Sequence, residues 1–267
     1  MPSLRKNGTC PARWQADQSN PKKLPGGNPP GCRPPARFCV QIGTAMDYNF
    51  NFSILVDYGD YLAGGLWYSV IIAFPSIAAA TLVGMILAAL HLSPLRVLRI
   101  LGSSYVDVFR TLPVVVLLIW IHYVLPILTG MSLSPTESSI LALSMNGSAL
   151  ACEAYRGGLQ AIPDTQRQAA WSLGLSKFDI LRYVIIPQGF FSTLPALTNV
   201  HITIIKNVTV TVLIAVPEVM FRAQELTVQF FRPLELYTGA AIVYVALILS
   251  FTVAMRQIER LRKWESV

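Results

Sequence analysis

The residues best placed to do chemistry in this 267-residue chain are few, and their spacing favours recognition over catalysis. The most ordered polar pattern is the stretch "AIPDTQRQAAWSLGLSKFDILRYVIIPQ" at 161–188. Thr165-x-x-Gln168 reads as a capping box that starts a helix at Thr165. Gly174 suits the residue just past that helix's end. Ser176-x-x-Asp179 opens a second helix, and Pro187 biases its end. Between the caps, Ala169 and Ala170 make a thin surface flanked by the bulk of Trp171 and Leu173, a shape suited to insertion into a partner's groove. An ordinary amphipathic connection between two other elements has the same pattern.

A second set consists of polar residues inside apolar sequence: Asn146, Ser148, His201, Lys206 and Asn207. Polar and ionisable groups embedded among apolar residues are the first candidates for a solute path. A lysine at 206 could attract a carboxylate, or it could snorkel to an interface or meet a backbone carbonyl at a helix break. His122, beside Trp120 and Tyr123, reads as an interfacial aromatic-belt residue. Arg110 suits an interfacial anchor, and Glu153 with Arg156 forms a potential i,i+3 pair. The chain has no Gly-x-x-x-x-Gly-Lys-Ser/Thr nucleotide loop, no His-Glu-x-x-His and no nucleophile elbow. Its three histidines, at 91, 122 and 201, are far apart. Cys152 is the only cysteine beyond residue 45.

The elements that position these residues are membrane spans. The chain is 53% hydrophobic and 13% charged, with a mean hydropathy of +0.51, where a soluble domain carries about 25% charged residues. That balance excludes disorder, a coiled coil and most soluble enzymes, and leaves an all-α polytopic membrane protein. The net charge of +7 comes from the first 45 residues, which hold seven Lys/Arg against one acid. The remainder is nearly neutral, so no nucleic-acid partner is expected. Residues 1–45 also hold eight of the 18 prolines and three of the four cysteines, Cys10, Cys32 and Cys39. The composition predicts a disordered segment or a spurious extension ahead of a start at Met46, with 46–267 as the membrane domain.

Apolar tracts place spans near 65–90, 112–128, 138–151, 183–216 and 236–255. Pro75 is expected to kink the first, and Pro113 suits an early turn of the second. The third is short and rich in small polar residues, which fits packing inside a bundle better than lipid contact. Lys and Arg concentrate at 92–110, where Arg96 and Arg99 mark a connecting segment, at 153–182 and at 256–263. The positive-inside rule puts these on the cytoplasmic side, giving about five spans with the N-terminus out and the C-terminus in.

The segment "QAAWSLGLSKFDILRYVIIPQ" resembles the EAA loop of binding-protein-dependent ABC importer permeases, with Ala169, Ala170, Gly174 and Pro187 at the family's spacing. "EAYRGGLQAIP" (153–163), "YVDVFRTLP" (105–113) and "LSPTESSILALS" (133–144) are similar to the polar amino acid subfamily, and the second of these most to its glutamate/aspartate type. The sequence departs from the pattern at Gln168, where Glu is usual, at Ile186 and at Val208; as the third residue of a capping box, Gln168 would keep the hydrogen bond and lose the charge. The resemblance implies a type I importer permease in a bacterial inner membrane, surrounded by membrane lipid. It further implies a second permease subunit, two ABC ATPase subunits and an extracytoplasmic solute-binding protein. ATP and Mg would be bound by the ATPase, leaving no cofactor in this chain. The loop at 160–187, through Thr165, Gln168, Ala169, Ala170, Trp171, Gly174 and Leu175, would couple to the ATPase. An importer of another small solute, such as an opine or a sulfur compound, is the alternative; a membrane enzyme or a non-transporting scaffold fits the pattern less well.

Overall fold

The computed structural model describes residues 50–91 and 93–263, with side chains as far as 259. The expectations for residues 1–45 lie outside the described residues. Every element among the described residues is helical. In chain order they are α1 (Ser53–Asp57), α2 (Gly59–His91), α3 (Arg96–Thr111) and α4 (Val114–Ile119). A π-helical turn (Trp120–Val124) then leads into α5 (Leu125–Thr129). After α6 (Pro135–Gln160) and α7 (Asp164–Ser172), α8 (Lys177–Asp179) continues through a π-helical segment (Ile180–Ile185) into α9 (Ile186–Asn207). A 3-10 turn (Val208–Ile214), α10 (Val219–Phe230) and α11 (Pro233–Lys263) complete the chain.

Among the described residues, three helices are long and apolar enough to cross a membrane, or four if the bent pair α3 and α4–α5 counts as one span. The three are Gly59–His91, Lys177–Ile214 and Pro233–Glu259. Helix α2 runs through Pro75 as a single helix. Pro113 occupies the cap position just ahead of α4 rather than its first turn.

The expected third span, 138–151, is longer than its apolar core. Helix α6 has 26 residues, about 39 Å at 1.5 Å per residue. Glu153 and Arg156 do not end it, because they pair on its surface, Nη2 to Oε2 at 2.8 Å. At its other end Ser134 and Glu137 form a reciprocal capping box. Pro135, just inside this start, lacks an N–H that would be unpaired there in any case.

Helix α6 is the centre of the bundle. Its buried residues are mostly small: Ser138, Ser139, Ala142, Gly147, Ser148, Ala149, Ala151, Cys152 and Gly158. Small side chains let neighbouring backbones approach closely. A Cβ added at Gly84 of α2 would lie 2.6 Å from the Ala151 Cβ and 2.9 Å from the Ser148 carbonyl oxygen. One added at Gly147 would lie 2.7 Å from Ile204 Cδ1 on α9 and 2.9 Å from the Ala80 Cβ on α2. The main apolar cluster, including Ile72, Ala80, Leu118, Leu143, Ala149, Ile204 and Val208, surrounds this helix. A second cluster joins α1, α2, α10 and α11 through Ile54, Leu62, Val219, Ala223, Leu226, Leu236 and Tyr244.

Candidate functional site

The loop after α6 holds a short, exposed helix with a sharply defined end. Helix α7 begins at Asp164, one residue earlier than the sequence pattern suggests, and Pro163 occupies its cap without a side-chain hydrogen bond. The Thr165/Gln168 capping box is therefore not formed. Proline's fixed φ presets the entry, here −60° with an extended ψ of 139°, and the Pro163 carbonyl accepts the Gln166 N–H at 3.1 Å. Thr165 and Gln168 instead lie exposed within the helix. Asp164 sits in the first turn, where a carboxylate complements the helix dipole, and lies 3.5 Å from Arg167.

The other end follows the sequence pattern. Gly174 adopts φ +80°. Its N–H donates to the Trp171 carbonyl at 2.9 Å and that of Leu175 to the Ala170 carbonyl at 3.2 Å, the paired bonds of a Schellman motif. Ser176 then caps α8 by accepting from the Asp179 N–H at 3.2 Å. Of the two alanines only Ala169 faces solvent, because Ala170 packs inward at 5% exposure. Trp171 and Leu173, at 55% and 82% exposure, flank it as exposed apolar bulk. Leu175 is half-buried. Behind α7, Leu159, Arg167, Trp171, Lys177, Ile180, Leu181 and Ile185 line a groove of about 270 Å³.

The five polar candidates are divided among different contacts. Asn146 is buried, and its amide donates to the Phe109 carbonyl at 2.8 Å. In a continuous helix that carbonyl would accept from residue 113, which is proline and has no N–H. Asn146 thus satisfies the backbone group orphaned where α3 gives way to α4. Ser148 is also buried and lies 3.0 Å from the Tyr105 hydroxyl on α3. His201 packs at 2.9 Å from Thr81 Oγ1, tying α9 to α2, with its ring against Phe251. Lys206 is exposed at the end of α9 and has no ion pair among the described residues, and Asn207 is half-buried where the 3-10 turn begins. His122, expected in an aromatic belt, is half-buried 3.0 Å from the Ser138 hydroxyl. Arg110 reaches Glu153 at 3.5 Å. Asn146→Leu, which keeps the volume and removes the donor, is expected to cost about 1–2 kcal/mol. A lower midpoint of thermal unfolding in detergent would show it; an unchanged midpoint would mean the Phe109 carbonyl does not depend on Asn146.

Two fully buried acids in the 217–235 stretch were not singled out by the sequence pattern. Glu218 caps α10 by accepting from the Met220 and Phe221 N–H groups, each at 2.8 Å, and also accepts from the Tyr244 hydroxyl of α11. The Tyr244 hydroxyl is 3.4 Å from that of Ser69 on α2. Glu235 pairs with Arg232 at 3.2 Å and accepts from the Asn51 N–H at 3.1 Å. Beside them, Arg222 donates to the Pro217 and Tyr61 carbonyls and stacks on the Tyr61 ring at 4.5 Å. Pro217-Glu218 ahead of an apolar helix is the available signal, since an acid at a helix start complements the helix dipole.

Comparison with known proteins decides among the readings of this architecture. Residues 80–264, more than two thirds of the chain, match the family described as binding-protein-dependent transport system inner membrane component. The chain belongs to that family. It is 29% identical over 201 residues to the probable amino-acid ABC transporter permease protein YckA of Bacillus subtilis (strain 168), covering 75% of this chain and 88% of the relative. It is 29% identical over 222 residues to the L-cystine transport system permease protein TcyB of the same organism, covering 83% and 93%. A crystal structure of an amino acid ABC transporter with histidines superimposes with a TM-score of 0.75 at 29% identity, covering 80% of this chain and 99% of that one. An inward-facing MetNI methionine ABC transporter, at 19% identity and a TM-score of 0.63 over 77% and 97%, shares the fold. The fold is thus of the type I ABC permease kind, and the chain is an inner membrane transport component.

Proposed function

We propose that this chain is the transmembrane subunit of an ATP-driven importer of polar amino acids. The loop helix α7 carries the proposal: a Schellman-terminated helix with exposed Ala169, Trp171 and Leu173, in a chain of the binding-protein-dependent family. The permease domain is 46–267, with five spans: α2, α4–α5, α6, α8–α9 and α11. The basic segments at 92–110, 153–182 and 256–263 lie in the cytoplasm, which places the start of α2 outside and the end of α11 inside. Helix α6 is counted despite its polar composition, because it is long enough and its small residues face other helices rather than lipid.

In this reading two ATPase subunits bind ATP and Mg and grip the 160–187 loops of two permease subunits. Nucleotide-driven closure moves α7, and through α6 the bundle, between inward- and outward-facing states. A solute-binding protein delivers the amino acid to the outer mouth. The permease is then a two-state element whose balance is set by nucleotide on one side and binding protein on the other. Lys206, exposed and without an ion pair among the described residues, is the cation best placed to meet a substrate carboxylate; Asn146, Ser148 and His201 support the path by holding helices together. No observation favours an opine or another non-amino-acid solute.

The docking part of the proposal is tested by coexpression with the partner ATPase. The two should copurify, and Trp171→Asp with Leu173→Asp should release the ATPase while the chain stays in the membrane. Undiminished copurification of the double variant would remove α7 from the interface.

A further inference from the structure

Helix α3 sits awkwardly as part of a span. Its axis and that of α4–α5 differ by 104° across Leu112 and Pro113. The break is built in: Leu112 and Pro113 are both extended, with ψ of 129° and 130°. The freed Phe109 carbonyl is taken up by Asn146.

The sequence of α3 divides into three faces at 100° per residue. Leu98, Gly102, Tyr105, Val106 and Phe109 share one face and turn inward: Gly102 and Val106 are buried, and Tyr105 reaches Ser148. Val97, Ile100, Leu101, Ser104 and Val108 share a second face. Its four apolar members are 50–68% exposed, so no element among the described residues covers them. The third face is polar: Arg96, Arg99, Ser103, Asp107 and Arg110. Arg110 is committed to Glu153 and Asp107, whereas Arg96 and Arg99 are exposed and have no ion pair among the described residues.

The helix is held against one end of the bundle. Gly102 lies beside Leu90 and His91 in the last turn of α2, and Arg110 reaches Glu153 late in α6. Both neighbours are at the cytoplasmic ends of their helices in the orientation proposed above, on which this inference rests. A helix roughly perpendicular to the adjoining span, apolar on one side and cationic along its flank, suits the plane of a membrane surface. The exposed arginines suit the anionic lipids of the cytoplasmic leaflet.

We propose that α3 is an interfacial helix, with Val97, Ile100, Leu101 and Val108 sunk into the cytoplasmic leaflet and Arg96 and Arg99 bound to anionic phospholipid headgroups. The leaflet then supports the break at Pro113, next to the Arg110–Glu153 contact with α6. Since α6 leads directly into α7, lipid charge would act on the helix that carries the coupling loop.

Spin labels on single cysteines along α3 test this, in the full chain with Cys10, Cys32 and Cys39 replaced by serine and the buried Cys152 replaced by alanine, in nanodiscs containing phosphatidylglycerol. Labels at 97, 100, 101 and 108 should collide several-fold more with oxygen than with a soluble nickel chelate, and labels at 99, 103 and 107 should show the reverse. With Arg96→Gln and Arg99→Gln together, the labels should become shallower, and the difference between phosphatidylglycerol and pure phosphatidylcholine discs should vanish. Low access to both reagents at 97, 100 and 101 would overturn the proposal, placing another protein surface there, such as a second copy of this chain. Nickel access all around the helix would overturn it as well. A lipid-charge effect that persists without the two arginines would overturn the headgroup assignment. A membrane-impermeant thiol reagent on Ser93→Cys reports the orientation separately: reaction only from the outside would refute the orientation rather than the interfacial geometry.

Discussion

Gly174→Trp is expected to leave the chain folded in the membrane while ATP-driven uptake falls to background. Gly174 holds φ +80°, a left-handed conformation that costs a residue with a Cβ about 1–2 kcal/mol. A Cβ there meets nothing within 4 Å, so the indole has room and the spans have no reason to unfold. What changes is the end of α7. The Gly174 and Leu175 N–H bonds to Trp171 and Ala170 depend on that left-handed residue, and they set the directions of Leu173 and Trp171. A bulky side chain beside these two would also obstruct whatever groove receives them. Gly174→Asn separates the two effects, since asparagine tolerates this conformation and adds little bulk, and it should keep much of the uptake. The check is uptake with the ATPase present, alongside the amount of each variant in the membrane. Wild-type uptake by Gly174→Trp would contradict the role of the loop.

Glu218→Ala is expected to lower stability by about 3 kcal/mol. The carboxylate caps α10 and is the acceptor for Tyr244. Loss of a side-chain cap costs about 1 kcal/mol, and each buried donor left unpaired adds roughly 1–3 kcal/mol. Glu218 is fully buried, so water cannot readily replace it. Glu218→Gln keeps one acceptor oxygen and should lose distinctly less. Thermal unfolding in detergent ranks the three proteins; equal midpoints would show that α10 is held mainly by apolar contacts such as Val219, Ala223 and Leu226.

Elements with a local cause were legible in the sequence. The turn at Gly174 and the Ser176 cap depend on residues within one turn of each other, and the Glu153–Arg156 pair on i,i+3 spacing. The start of α7 was misplaced because two cap signals overlap: Thr165 offers a side chain, but Pro163 sets the backbone two residues earlier. The buried state of Glu218 and Glu235 was not legible, because a charged stretch between apolar tracts reads as solvated until its tertiary partners Tyr244 and Asn51 are known. Asn146 and Ser148 stood out as polar residues in an apolar tract, yet only the packing of α6 on α3 reveals what they satisfy. The 104° turn was not legible, because Pro113 reads as an early turn of the second span and the angle depends on that same packing.

The central claim is tested most directly in proteoliposomes containing the full chain, any sister permease, the partner ATPase and the binding protein. The measurement is ATP-dependent uptake of labelled amino acids against acidic, amide and basic competitors. An importer of polar amino acids predicts uptake that requires ATP and is blocked by one competitor class, with acidic competitors strongest if Lys206 meets a substrate carboxylate. A complex that assembles and hydrolyses ATP but carries no amino acid would contradict the assignment.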